Sequence, residues 1–149
     1  MRTLTLHYLR LLTITSIAIF NFTFTGYALA DIAIIVHRDS PLANATPEEI
    51  SKIFLAKTKT FPNGQKIKLL DLEEGDETRD KFYKAVANKT PSQVKAYWSR
   101  LIFTGKGQPP QVLIDSEEII EAIEEDPNGI GYVDPEAITD SVKVILTIQ

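Results

Sequence analysis

From Ile32 to Val36 the chain runs Ile-Ala-Ile-Ile-Val without a polar interruption. Such a β-branched run predicts a strand buried on both faces, of the kind found in parallel or mixed sheets. His37-Arg38-Asp39-Ser40-Pro41 ends it. Thr46-Pro47-Glu48-Glu49 is then a helix start, with Thr as N-cap, Pro in the first turn and Glu49 closing a capping box. Ile50, Ile53 and Phe54 follow at helical spacing on one face. A turn-rich connection from Leu55 to Gln65 leads to a second strand over 66–72, its apolar content Ile67, Leu69, Leu70 and Leu72.

After an acidic loop, Phe82, Tyr83 and Val86 mark a helix from about Thr78 to Asn88. Thr90-Pro91-Ser92-Gln93 repeats the capping-box logic, and Val94, Tyr97, Trp98, Leu101 and Ile102 give the clearest helical periodicity in the chain. Thr104 to Pro110 is a Gly- and Pro-rich loop, followed by a short strand over 111–114 and a helix capped by Asp115 with Ile119, Ile120 and Ile123 inward. Asp126-Pro127-Asn128-Gly129 is a turn, 130–133 a strand, 134–136 a helical turn and 142–148 a closing strand. Alternating strands and helices predict an α/β fold, a mixed sheet flanked by helices.

Residues 1–30 stand apart from this pattern. They hold Arg2 and Arg10, no acidic residue, a mostly apolar run from Leu11 to Phe24, and Ala28-Leu29-Ala30. That is the form of a secretory signal peptide cleaved near Ala30, with the domain spanning 31–149. It predicts a periplasmic or secreted protein. Removing the two arginines leaves 14 basic against 20 acidic residues, a net charge of −6, which argues against nucleic acid as a partner. The absence of cysteine excludes disulfides and a lipid anchored on an N-terminal Cys.

The residues for nucleophilic or metal chemistry are sparse: no Cys, His7 and His37 the only histidines, and no Gly-x-Ser-x-Gly or phosphate-loop sequence. The expectation is a non-enzyme without cofactor or metal, with His37 structural or at the surface. Tyr97 and Trp98 lie on an apolar stripe and are read as core. Lys57, Lys59, Lys66 and Lys68 flank a turn, either as a solvated face or as a docking surface for an acidic partner.

The stretch Asp71 to Phe82 poses the main question. A strand-loop-helix junction presents unpaired N–H groups and a partial positive charge. As an anion site it would use the N–H groups of Gly75 to Thr78, the Thr78 hydroxyl and Arg79. The same stretch carries Asp71, Glu73, Glu74, Asp76 and Glu77. These suit a cation site, although their spacing fits no known calcium loop, or simply a solvated acidic turn.

Four motifs in order carry a resemblance: Glu48 to Lys57, Phe61-Pro62-Asn63-Gly64, the Gly-x-x-x-Arg-x-x-Phe of Gly75, Arg79 and Phe82, and Asp126 to Val133. Together they resemble the later half of the phosphate-binding protein of phosphate ABC transporters. Tyr97 to Gly107 is similar to a run in the short, single-lobe forms of that superfamily. The resemblance implies one lobe of a type II periplasmic binding protein, a phosphate-like oxyanion as ligand, and an inner-membrane ABC permease or another envelope protein as partner. It implies that Gly75, Asp76, Thr78 and Arg79 form the anion-binding loop, with Asp76 standing where relatives have serine. The alternative it leaves is an interaction or sensory module of the cell envelope that kept the fold and lost the solute.

Overall fold

The computed structural model describes residues 31–149. The signal-peptide expectation for residues 1–30 lies outside the described residues. Five strands form one sheet: β1 (Ile32–His37), β2 (Lys68–Leu72), β3 (Gln111–Leu113), β4 (Gly129–Val133) and β5 (Val142–Ile148), in the spatial order β3-β2-β4-β1-β5. β2 runs parallel to both β3 and β4, whereas β1 is antiparallel to β4 and β5. The sheet is mixed, and the uninterrupted apolar run of β1 is explained by its place between two strands with both faces covered; Ile34, Ile35 and Val36 are fully buried.

Four helices supply the cover: α1 (Pro47–Phe54), α2 (Glu77–Ala87), α3 (Pro91–Phe103) and α4 (Ser116–Glu125). Successive strand residues point to opposite faces, so β4 shows which helix lies where. Tyr132 stacks on Phe82 of α2 with ring centroids 3.9 Å apart and meets Phe54 of α1 edge-on at 5.7 Å. A Cβ placed on its neighbour Gly131 would come within 2.6 Å of Ile119 on α4. Thus α1 and α2 cover one face and α4 the other. Gly131 is glycine because α4 packs directly on the strand backbone there.

The helix starts follow their sequence signals. The Thr46 hydroxyl accepts the Glu49 amide and the Glu49 carboxylate accepts the Thr46 amide at 2.8 Å; Thr90 and Gln93 do the same for α3. Trp98 is in the core, and Tyr97 is half-buried with its hydroxyl donating to the Leu55 carbonyl. Two expectations shift. β2 begins at Lys68 instead of 66, because Lys66 pairs with Thr60 across a small hairpin whose turn holds Gly64 at φ +84. Ile102, expected on the apolar stripe of α3, is exposed along with Phe103. α3 packs on α2 through its buried Val94 and Trp98 side, and the two last residues of its C-terminal turn stay in solvent.

Parallel strands end at the same edge of a sheet. α2 follows the end of β2, α4 the end of β3, and a 3-10 turn (Pro135–Ala137) the end of β4. Three helical N-termini therefore gather at the carboxyl ends of β2, β3 and β4, where open α/β sheets bind ligands.

Candidate functional site at the carboxyl edge of the sheet

At this edge lies a cavity of about 460 Å³ lined by Leu72, Asp76, Thr78, Asp115, Ser116, Glu117, Asp134, Glu136 and Ala137. Each N-terminus that opens on it is capped by its own aspartate. Asp76 Oδ1 accepts the Arg79 amide, Asp115 Oδ1 the Glu118 amide and Asp134 Oδ1 the Glu136 amide, each at 2.9 Å. A cap carboxylate satisfies an orphan N–H and meets the positive end of the helix dipole, as a bound anion would. With Glu117 and Glu136, five carboxylates and no basic side chain line the cavity.

Behind the cavity a charged cluster is buried. Asp71 is 2 % exposed and sits on the face of β2 that looks toward α2. Its Oδ2 accepts from Arg79 Nε at 3.3 Å and from the Tyr83 hydroxyl at 2.9 Å, and its Oδ1 accepts from the Tyr132 hydroxyl. The Tyr132 oxygen in turn accepts the Leu72 amide at 3.3 Å. The Arg79 guanidinium also lies over the Tyr83 ring, 5.2 Å from its centroid. Burial pushes the Asp71 carboxyl above its usual range, against the opposing pull of Tyr132, Arg79 and Tyr83. Burial and the Asp71 charge both raise the two phenols, which stay protonated donors. Burial alone would lower the Arg79 pKa; Asp71 and the phenols leave it raised.

The four loop residues named from sequence are brought together, each in a definite role. Gly75 takes φ +100 in the turn before α2, a backbone region that favours glycine. Asp76 is the N-cap of α2, and Thr78 lines the cavity from its first turn. Arg79 turns inward to Asp71, and its terminal nitrogens make no hydrogen bond among the described residues.

Four of the five acidic residues of this stretch have a partner or a capping role. Asp71 binds Arg79, Asp76 caps α2, Glu74 pairs with Lys95 at 3.1 Å and Glu77 with Lys81 at 2.7 Å. Among the described residues these carboxylates form no group of three or more that could hold a metal ion. His37 Nδ1 accepts the Asp39 amide in a local turn after β1. What sequence reasoning missed was the partnership of Asp71 with Tyr83 and Tyr132. The available signal was one aspartate inside the apolar run Leu69-Leu70-Asp71-Leu72.

The fold is shared with known proteins. The chain superimposes on a phosphate ABC transporter substrate-binding protein of Clostridium perfringens, solved with bound phosphate, at 24 % identity and a TM-score of 0.64. It matches an ABC-type phosphate transport receptor of Vibrio cholerae at 18 % and 0.62, and PstS of Borrelia burgdorferi at 17 % and 0.61. In each case 78 % of this chain is covered, but only 45 %, 46 % and 47 % of the respective neighbour. The chain thus has the fold of these binding proteins over less than half of their length, as the single-lobe resemblance implied. No protein-family profile matches it, nor does any curated protein sequence.

Proposed function

We propose that this chain is a non-enzymatic binding lobe of the periplasm or cell exterior that holds a phosphate-like oxyanion weakly at the start of α2. One observation carries the reading: the α2 N-terminus, with Thr78 in its first turn, opens on a cavity at the carboxyl ends of three parallel strands. The solved neighbours are described as binding components of phosphate transport, and an inner-membrane ABC permease is the partner that fits this reading. Among the described residues no helix is long and apolar enough to cross a membrane, which agrees with a domain that works outside the bilayer. The amides of Glu77 and Thr78 and the Thr78 hydroxyl are the donors, whereas Arg79, turned inward to Asp71, does not line the cavity.

Asp76 sets the strength. A carboxylate about 4 Å from a phosphate charge costs on the order of 1 kcal/mol in water and about 4 at an effective dielectric of 20. The Asp76 carboxylate also occupies the Arg79 amide, which leaves the oxyanion one fewer free donor at this N-terminus. Titration calorimetry with inorganic phosphate tests the site through Asp76→Ser. Serine still caps α2 but removes the charge, so affinity should rise by at least about tenfold. An unchanged affinity in Asp76→Ser, or submicromolar binding by the unmodified monomer, overturns the reading.

A second reading is a partner-binding module of the cell envelope that has lost its solute. The three aspartate caps favour it, because each occupies a helix N-terminus that an anion would need. It predicts no rise in melting temperature with any oxyanion, since a ligand stabilises only what it binds.

A further inference from the structure

The opposite edge of the sheet, where β2 and β3 begin, holds a second concavity of about 940 Å³. One wall is the Thr58 to Lys68 turn and the other the Gly105 to Pro109 loop. Lys59, Lys66, Lys68 and Lys106 line it against a single carboxylate, Asp126. Lys68 lies 3.6 Å from Asp126, and Lys59 Nζ donates to the Lys106 carbonyl at 3.0 Å, tying the two walls together. Lys66 and Lys106 are exposed and have no carboxylate within 4 Å among the described residues. The rest of the lining includes the apolar Ala56, Ile67, Leu69 and Pro109.

The charge of the molecule is therefore divided between two ends. Five carboxylates line one cavity without a cation, while four lysines converge on the other in a domain of net charge −6. A concave surface lined by one sign of charge concentrates ligands of the opposite sign. The lining also says which kind of anion. It contains no arginine, whose planar fork suits phosphate bidentately, and each lysine ammonium is a point charge that can meet a single carboxylate. The apolar residues between them suit side chains, which a bare polyphosphate lacks. The volume is at the upper end of the roughly 300–1,000 Å³ found for ligand clefts.

We propose that this groove docks an extended acidic peptide segment of a partner protein. Lys59, Lys66 and Lys106 pair with its carboxylates, and Ile67, Leu69 and Pro109 take its apolar side chains. The proposal rests on the partner-binding reading and needs nothing from the Gly75–Arg79 loop at the far edge.

Fluorescence anisotropy of a labelled peptide of alternating Glu and Leu, with alternating Lys and Leu as control, tests it on the whole chain. The acidic peptide alone should bind. Its affinity should fall by at least about tenfold between about 50 and about 300 mM salt, and by a similar factor in Lys66→Glu/Lys106→Glu. Both lysines are exposed, and Lys66→Gln/Lys106→Gln, with a smaller loss, serves should the reversal perturb folding. Asp76→Ser and added phosphate should leave peptide binding unchanged, which separates failure at the groove from failure at the oxyanion loop. Absence of acidic-peptide binding, or equal affinity in the lysine variants, overturns the proposal. Tighter binding of inorganic polyphosphate than of the peptide also overturns it, as does concentration-dependent dimerisation abolished by the same charge reversals, which would make a second copy the occupant.

Discussion

Arg79 Nε lies 3.3 Å from Asp71 Oδ2 with both side chains buried, so a charge from the first turn of α2 closes onto the strand that precedes it. The pair clasps the intervening loop, Glu73 to Asp76, and fixes where the α2 N-terminus opens. Removing one partner leaves a buried charge uncompensated, which costs about 3–5 kcal/mol. Asp71→Ala and Arg79→Met should each lose stability on that scale in urea unfolding, while the combined Asp71→Leu/Arg79→Met should recover most of it. A double variant as unstable as the singles would mean that Tyr83 and Tyr132, rather than the ion pair, set the cost.

Tyr132 is held at both ends. Its ring stacks on Phe82, and its hydroxyl donates to Asp71 while accepting the Leu72 amide. Tyr132→Phe keeps the stacking and leaves a buried carboxylate and a buried amide each short of a partner. The expected loss is about 1–3 kcal/mol, read as a lower denaturation midpoint with an unchanged m-value. An unaffected midpoint would count against the network.

Gly131 faces α4 at a distance that admits no side chain. A Cβ there would stand 2.6 Å from Ile119 Cγ2 and 3.5 Å from Leu70 Cβ. Gly131→Ala should destabilise the domain by about 1–3 kcal/mol through overpacking. In an Ile119→Ala background, which lacks the Cγ2 methyl at the contact, Gly131→Ala should cost less; calorimetric melting of the four-member cycle measures the coupling.

The two capping boxes differ in charge. In α1 the Thr46 amide and hydroxyl hold the Glu49 pKa below its ordinary 4.5, whereas α3 uses the neutral Gln93. A carboxylate whose pKa is lowered by folding stabilises above its unfolded value, and that stability is lost as pH falls through the folded value. The melting-temperature advantage of the unmodified chain over Glu49→Gln should therefore be constant above pH 4.5 and shrink as the pH falls below it. Glutamine can form the same box, so an advantage independent of pH would mean that the Glu49 charge does not contribute.

Much of this domain is written in local sequence. The helix starts at Thr46, Thr90 and Asp115, and the doubly buried strand at Ile32, depend on residues within a turn or two of each other, and pattern alone locates them. The sequence also marked Gly75 to Arg79 as a strand-loop-helix junction, because a glycine and a first-turn hydroxyl are local chemistry, while the capping role of Asp76 came from the structure.

Tertiary structure decided what those residues face. Asp71 and Tyr132 are 61 positions apart and meet only because β2 and β4 are neighbours in the sheet. That meeting turns Arg79 inward. The order β3-β2-β4-β1-β5 likewise sends the carboxylates of three loops to one edge and the lysines of two loops to the other. Periodicity reports which residues are buried, through the hydrophobic effect acting along one element. Which charges converge depends on strand order, and that is fixed by packing between segments far apart in the chain.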